Sequence, residues 1–225
     1  VPRMPFWRGD AMWRDYDLGV AIGAFRRHVA EHVNDPGLVD WLKNACALDD
    51  NSAHNVVTYV QGQLEAIGAI SSDRTIIVEV FADSVGEPRM VVHSPFGGKV
   101  NGPWGIALAG VLRERTGIEV EVQSNDDGIL LRFAGSETMP PTDAVRQLGP
   151  EEARRRLLHD LVDSAVFGAQ FRMNAARALM LPRARAGRRT PFWLQRLKAK
   201  DLLAAARKFE DFPLIAETYR DVLRD

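Results

Sequence analysis

"TIIVEVFADSVGEPRMVVHSPFGGKVNGPWGIALAGVLRERTGIEVEVQSNDDGILLRF" spans residues 75 to 133, and its hydrophobic period changes along the way. "TIIVEVFAD" and "RMVVHS" are rich in β-branched residues and flank "SVGEP", which is turn chemistry, so two strands joined by a turn are expected. "GPWGIALAGVLRERTG" then reads as a helix, opened by Gly102 and Pro103 and closed by Gly117. "IEVEVQ" alternates apolar and polar residues at period two, and "SNDDG" turns it into "ILLRF". Asn, Asp and Gly are expected in that turn for their tolerance of positive φ. The order β, β, α, β, β predicts an α+β arrangement on one antiparallel or mixed sheet.

On the amino-terminal side the pattern is helical. "DLGVAIGAFRRHVAEHV" spaces Leu18, Ile22, Phe25, Val29 and Val33 as one buried stripe, with Asp17 as N-cap. "DPGLVDWLKNACAL" predicts a shorter helix with Pro36 at its first position, and a third helix runs from about Asn51 to Gly68. On the carboxyl side, "GSETMPPTD" is a loop leading to helical sequence: residues 150–181, as one broken helix or two, then "PFWLQRLKAKDLLAAARKF" and "PLIAETYRDVLRD". The expected fold is α+β, with N-terminal helices, a small ββαββ sheet unit and a C-terminal helical bundle. Its parts are residues 1–139 and 140–225, packed as one domain.

The 225 residues are 46% apolar and 26% charged, ordinary globular composition that argues against disorder. Formal charge is −1 overall but unevenly placed. Residues 1–139 hold 12 Lys/Arg against 19 Asp/Glu, whereas residues 140–200 hold 13 against 5, a net of +8. A single cysteine, Cys46, excludes an internal disulfide and a multi-cysteine zinc site, and its helical spacing with Trp41, Leu42 and Leu48 reads as a small buried hydrophobe. A reducing cytoplasm is the expected compartment. There is neither a signal peptide pattern nor an apolar run of the ~18 residues that a membrane span requires. A first residue of Val suggests a piece of a longer chain.

Four stretches could carry chemistry. "HVAEH" fits a zinc-peptidase pattern in which His28 and His32 bind metal and Glu31 acts as base; no third ligand is evident, and a solvated helix flank is the better reading. "HSPFGGKVNGPWG", with Lys99, places glycines between a strand and a helix start, where backbone N–H groups can hold a phosphate; a tight structural connection is the rival. "PFW" occurs twice, with Trp7 beside Arg8 and Trp193 soon after Arg188 and Arg189, a pairing that suits base stacking with phosphate neutralisation. Structural anchoring is the alternative for Trp7, and burial in the core is the preferred reading for Trp193. Residues 182–198 hold Arg183, Arg185, Arg188, Arg189, Arg196 and Lys198 without an acid, which calls for a polyanion or an acidic protein surface.

Several of these motifs coincide. "MPFWRGD", "VVHSPFGGKVNGPWGIALAGVLRERTG" followed by "NDDGILLR", "FGAQFRMNAARALMLPRARAGRRTPFWLQRLKAKDLL" and "FPLIAETYRDVLRD" resemble, in the same order, the helicase-associated (DEAD/H-associated) region of the Lhr, or large helicase-related, ATP-dependent helicases. The resemblance covers nearly the whole chain. It implies an accessory region that follows two RecA-like motor domains and a winged helix, and that binds single-stranded DNA or an RNA:DNA hybrid. It implies no catalytic site and no cofactor in these residues, ATP and Mg²⁺ being held by the motor; the chain has no Walker loop of its own. Trp7 would stack on a base, and Arg183, Arg185, Arg188 and Arg189 would line the track of the strand or dock against the motor; on their residue types alone, Arg8, Lys99 and Trp193 join the expected nucleic-acid contacts. Asn101 stands where many members carry His, so no role needing an ionisable group passes to it. The competing readings are a structural brace that docks motor and winged helix, and a stand-alone zinc hydrolase.

Overall fold

Strands β1 (Ile77–Ala82) and β2 (Pro88–His93) pair antiparallel with Val80 opposite Met90, and β4 (Gly128–Arg132) pairs with both β2 and β3 (Glu121–Asn125). The sheet is antiparallel throughout, in the order β1-β2-β4-β3. This is the expected α+β plan. In the computed structural model the chain forms two units, Val1–Leu148 and Gly149–Asp225. The structure describes residues 13–181, 184–185, 188–209 and 211–224, with backbone alone at 184, 185, 188 and 189.

Period-two alternation turns Met90, Val92, Ile129 and Leu131 to one face, where they meet Leu108, Ala109 and Leu112 of α4 (Gly98–Thr116) and are sealed from water. Full burial of each large side chain contributes about 1.5–3 kcal/mol. Ala144 of α5 (Asp143–Gln147) completes this core, which places α5 with the sheet. Gly117, at φ 71°, closes α4 as its position predicts, its N–H reaching Arg113 O at 2.9 Å. The start of α4 differs from expectation: it begins at Gly98, and Pro103 lies exposed inside it.

The β3–β4 turn also departs from its expected chemistry. Among the described residues only Ala47 and Leu179 have positive φ without being glycine, so Asp126 and Asp127 turn the chain at negative φ. Asn125 Oδ1 accepts the Asp127 N–H at 2.9 Å and fixes the turn instead. Gly128 is required by proximity, because a Cβ there would overlap the Val92 carbonyl oxygen of β2.

Helices α1 (Tyr16–Glu31), α2 (Leu38–Ala45) and α3 (Asp50–Ile67) enclose a second cluster of Val29, Leu38, Leu42, Ala53, Val60 and Ile70. Asp15, not Asp17, caps α1, and Asp49 caps α3 through the Ser52 N–H at 2.6 Å. Pro36 precedes α2, which starts at Leu38 after Gly37. The predicted α1 stripe is only half right. Val29 is buried, but Leu18 is 55% exposed, and the face that packs inward upstream is Gly19 and Gly23, set against the backbone of Pro95 and Asp73.

In the second unit, α6 (Pro150–Asp160) leads through a 3-10 turn at Leu161–Asp163 to α7 (Ala165–Arg177), whose N-cap Ser164 accepts the Phe167 N–H at 3.1 Å. The predicted basic loop contains a two-stranded ladder of β5 (Ala184–Arg185) and β6 (Arg188–Arg189), followed by α8 (Phe192–Ala206) and α9 (Pro213–Val222). Phe167, Phe171 and Ala175 of α7 form the interior with Leu161, Ala199 and Leu214. A polar seam locks α7 to α9: Asn174 Nδ2 and Gln170 Nε2 both donate to Asp221 Oδ2 at 2.9 Å, and these bonds hold the Asp221 carboxyl below its ordinary range.

Candidate nucleic-acid interface

In the first unit the short β3–β4 turn gathers the segment that leads in from the amino terminus. Asp126 Oδ1 accepts two backbone N–H groups, from Arg14 at 2.9 Å and from Gly98, the first residue of α4, at 2.8 Å. The helix start that glycine spacing marks as an anion site is thus capped by the protein's own carboxylate at Gly98. Arg14 reaches over the turn, donating from Nη1 to Asp127 Oδ1 at 2.9 Å, to Asp126 O at 3.2 Å and to Pro95 O at 3.3 Å. Arg26 adds a second donor to Asp127 at 3.3 Å. The Arg14 guanidinium holds the Asp127 carboxyl below the usual carboxylate range.

Trp13 lies on Gly98 so closely that a Cβ there would overlap its indole ring. Lys99 stands exposed in the same helical turn. The structure therefore brings Lys99 beside the anchored residues Trp13 and Arg14; Trp7 and Arg8 lie outside the described residues. Asn101 is fully buried and acts as a clamp, its Nδ2 donating to Ser94 O at 3.0 Å and Asn125 O at 2.9 Å.

The zinc-peptidase pattern resolves into packing. The His28 ring lies 4.3 Å from the His32 ring and 4.2 Å from that of Trp41, centroid to centroid, and Glu31 faces Arg27. No group of three His, Cys, Asp or Glu side chains that could hold a metal ion occurs among the described residues. Cys46 is half-buried against the three-helix cluster.

The second unit carries the basic stretch. The ladder opposes Ala184 to Arg189 and Arg185 to Arg188, so three arginines fall on four ladder residues; Arg183, and the side chains of Arg185, Arg188 and Arg189, lie outside the described residues. Trp193 overturns its preferred reading: it is 66% exposed on the first turn of α8, and Phe192 beside it is 54% exposed. An exposed pair at a helix start is not anchored by core packing. Sequence reasoning singled out neither Arg172 nor the use made of Arg196. Their guanidinium carbons lie 4.5 and 4.6 Å from the centre of the Phe192 ring. The spacing Phe192, Arg196, Lys200 along one helix face was the available signal; that Arg172 of α7 joins them is a tertiary fact.

Comparison with known proteins identifies the relatives of this chain. A family model described as DEAD/H associated matches residues 70–225. The Lhr helicase/probable uracil glycosylase of Mycolicibacterium smegmatis is 39% identical over 223 residues, 99% of this chain and 15% of that protein. The Lhr helicase/uracil glycosylase of Escherichia coli is 36% identical over 224 residues, covering 99% and 14% respectively. The ATP-dependent helicase Lhr-Core of Saccharolobus solfataricus is 27% identical over 234 residues, where the chain spans 26% of the protein. Among solved structures, that of Mycobacterium smegmatis helicase Lhr bound to ssDNA and AMP-PNP matches all of this chain and 28% of its own, with a TM-score of 0.83 at 38% identity. The chain thus corresponds to a minor part of each relative.

Proposed function

The chain belongs to the DEAD/H associated family, and on that premise we propose that it is an accessory single-strand-binding part of an Lhr-type ATP-dependent helicase. The observation that carries this reading is its likeness, over its whole length, to a helicase solved with single-stranded DNA. Physical support comes from the second unit, where arginine-rich ladder residues adjoin an exposed Phe-Trp pair. Arginine forks neutralise phosphates and exposed rings accept bases, so the combination suits an unpaired strand better than a duplex. In this reading Arg8, Lys99, Arg183, Arg185, Arg188 and Arg189 contact phosphates, and Trp7 and Trp193 stack on bases. The Trp13–Arg14 anchorage at the β3–β4 turn supports the assignment of Trp7, since it gives the preceding residues a fixed base from which to reach a strand. ATP and Mg²⁺ would act elsewhere in the longer protein, and this chain would hold the strand that the motor pulls.

The test is strand affinity of the 225-residue chain against a salt series, with DNA and RNA oligonucleotides in the same assay. Affinity should fall as salt rises, because phosphate neutralisation releases counterions. Trp7→Ala should cost about 1–3 kcal/mol of binding by loss of one stacked base. Arg188→Ala with Arg189→Ala should weaken binding of all sequences alike, with thermal stability unchanged. Unchanged affinity alongside lowered stability would instead mark these residues as a brace for neighbouring domains.

A further inference from the structure

We propose that the second unit contains a phosphate-binding pocket of its own, formed by Arg172 of α7 and by Arg196 and Lys200 of α8, with the two arginines resting on Phe192, and that its ligand is the backbone of a single strand. The inference rests on the reading above and assigns to it residues outside the basic ladder. A cavity of about 450 Å³ lies between α7 and α8, lined by the N-cap Ser164, Ala165, Gly168 and Arg172 from the first and by Arg196 and Lys200 from the second.

Three features point to an anion. Both guanidiniums sit within 4.6 Å of one phenyl ring, and neither pairs with a carboxylate among the described residues. The one acid lining the cavity, Asp163, is taken up by Arg207. Burial and the neighbouring Arg196 charge push the Arg172 guanidinium below its ordinary value, so the two cations repel one another. Contact with the Phe192 ring accounts for each cation singly, but no carboxylate among the described residues offsets their mutual repulsion. A phosphodiester does: it is a single negative group that two planar forks can grip from different sides, while Phe192 holds the forks in place through its face. Trp193, exposed on the residue after Phe192, offers a flat surface on which a base of the same strand can lie.

Binding of a fluorescein-labelled oligothymidylate to the 225-residue chain, read by anisotropy over a salt series, tests the proposal. Replacing Arg172→Ala and Arg196→Ala together should weaken binding at least tenfold at low salt. It should also make the plot of log affinity against log salt shallower by about 0.7, since the pair grips one phosphate and each phosphate contact on a single strand accounts for about 0.7. The thermal midpoint should stay level or rise, because the change removes a repulsive pair; a merely structural cation–ring contact would lower it. Should the double variant lose its fold, Lys200→Ala at an exposed helix position carries the test, with an expected fall in affinity and a change in slope of at most about 0.7. Affinity and slope equal to those of the unchanged chain would overturn the pocket and leave the broader function standing. Failure of the unchanged chain to bind the strand at any salt would overturn both. Tight, Arg172-dependent binding of polyglutamate that oligothymidylate fails to displace would replace the strand with an acidic protein partner.

Discussion

Asp127 shows what single residues do here. Sequence reading takes "SNDDG" as turn chemistry, and it is a turn, yet its carboxylates matter more than its backbone angles. Asp126 caps α4 and ties Arg14, and Asp127 accepts from Arg14 and Arg26, so two consecutive acids bind α1, α4 and the lead-in segment together. Because Arg14 depresses the Asp127 carboxyl, the ionised form favours the folded state. That contribution is fully present above the unfolded value of about 3.9 and is lost as pH falls through the lower folded value. The thermal midpoint of the chain should therefore drop between pH 5 and pH 2 more steeply than that of Asp127→Asn. Parallel profiles for the two would mean that the ion pair contributes nothing. The pairing joins positions 14, 26 and 127, so no local pattern could have shown it.

At the scale of elements, α1 separates what is legible from what is not. Its length, and the Asp49 cap and Gly68 close of α3, follow from local chemistry. Its buried face does not, because the apolar stripe through Leu18 and Ile22 is a pattern of side chains, whereas the packing surface is two glycines against loop backbone. Gly23→Ala should accordingly destabilise the chain by about 1–3 kcal/mol through overpacking. Leu18→Gln should change stability by less than about 0.5 kcal/mol. Denaturant unfolding of both variants checks the contrast, and the opposite ranking would restore the stripe. The α4 start was hidden for a similar reason: Gly102-Pro103 is strong local punctuation for a helix opening, but Asp126 from a distant turn caps the chain at Gly98. The strands, by contrast, were readable from β-branched runs and period-two alternation, because their pairing partners are close in sequence.

For the whole molecule, charge distribution was legible and its use was not. A net of +8 in residues 140–200 calls for an anion to neutralise it, a polynucleotide or an acidic protein surface. Which cations are bound up and which are left over depends on tertiary pairing: Arg156 meets Glu152 and Arg207 meets Asp163, whereas Arg172 and Arg196 share a phenyl ring. The same holds for Trp193, whose apolar character suggested the interior and whose place at the exposed start of α8 suits a ligand. The unit Gly149–Asp225 therefore presents aromatic surface and surplus positive charge, the two properties an unpaired strand recognises. Whether the strand lies on these residues is decided most directly by photocrosslinking the 225-residue chain to a single strand substituted with iododeoxyuridine, followed by peptide mass spectrometry. The account predicts adducts on the peptides bearing Trp7 and Trp193, lost at high salt. Adducts confined to other peptides, or none at low salt, would contradict it.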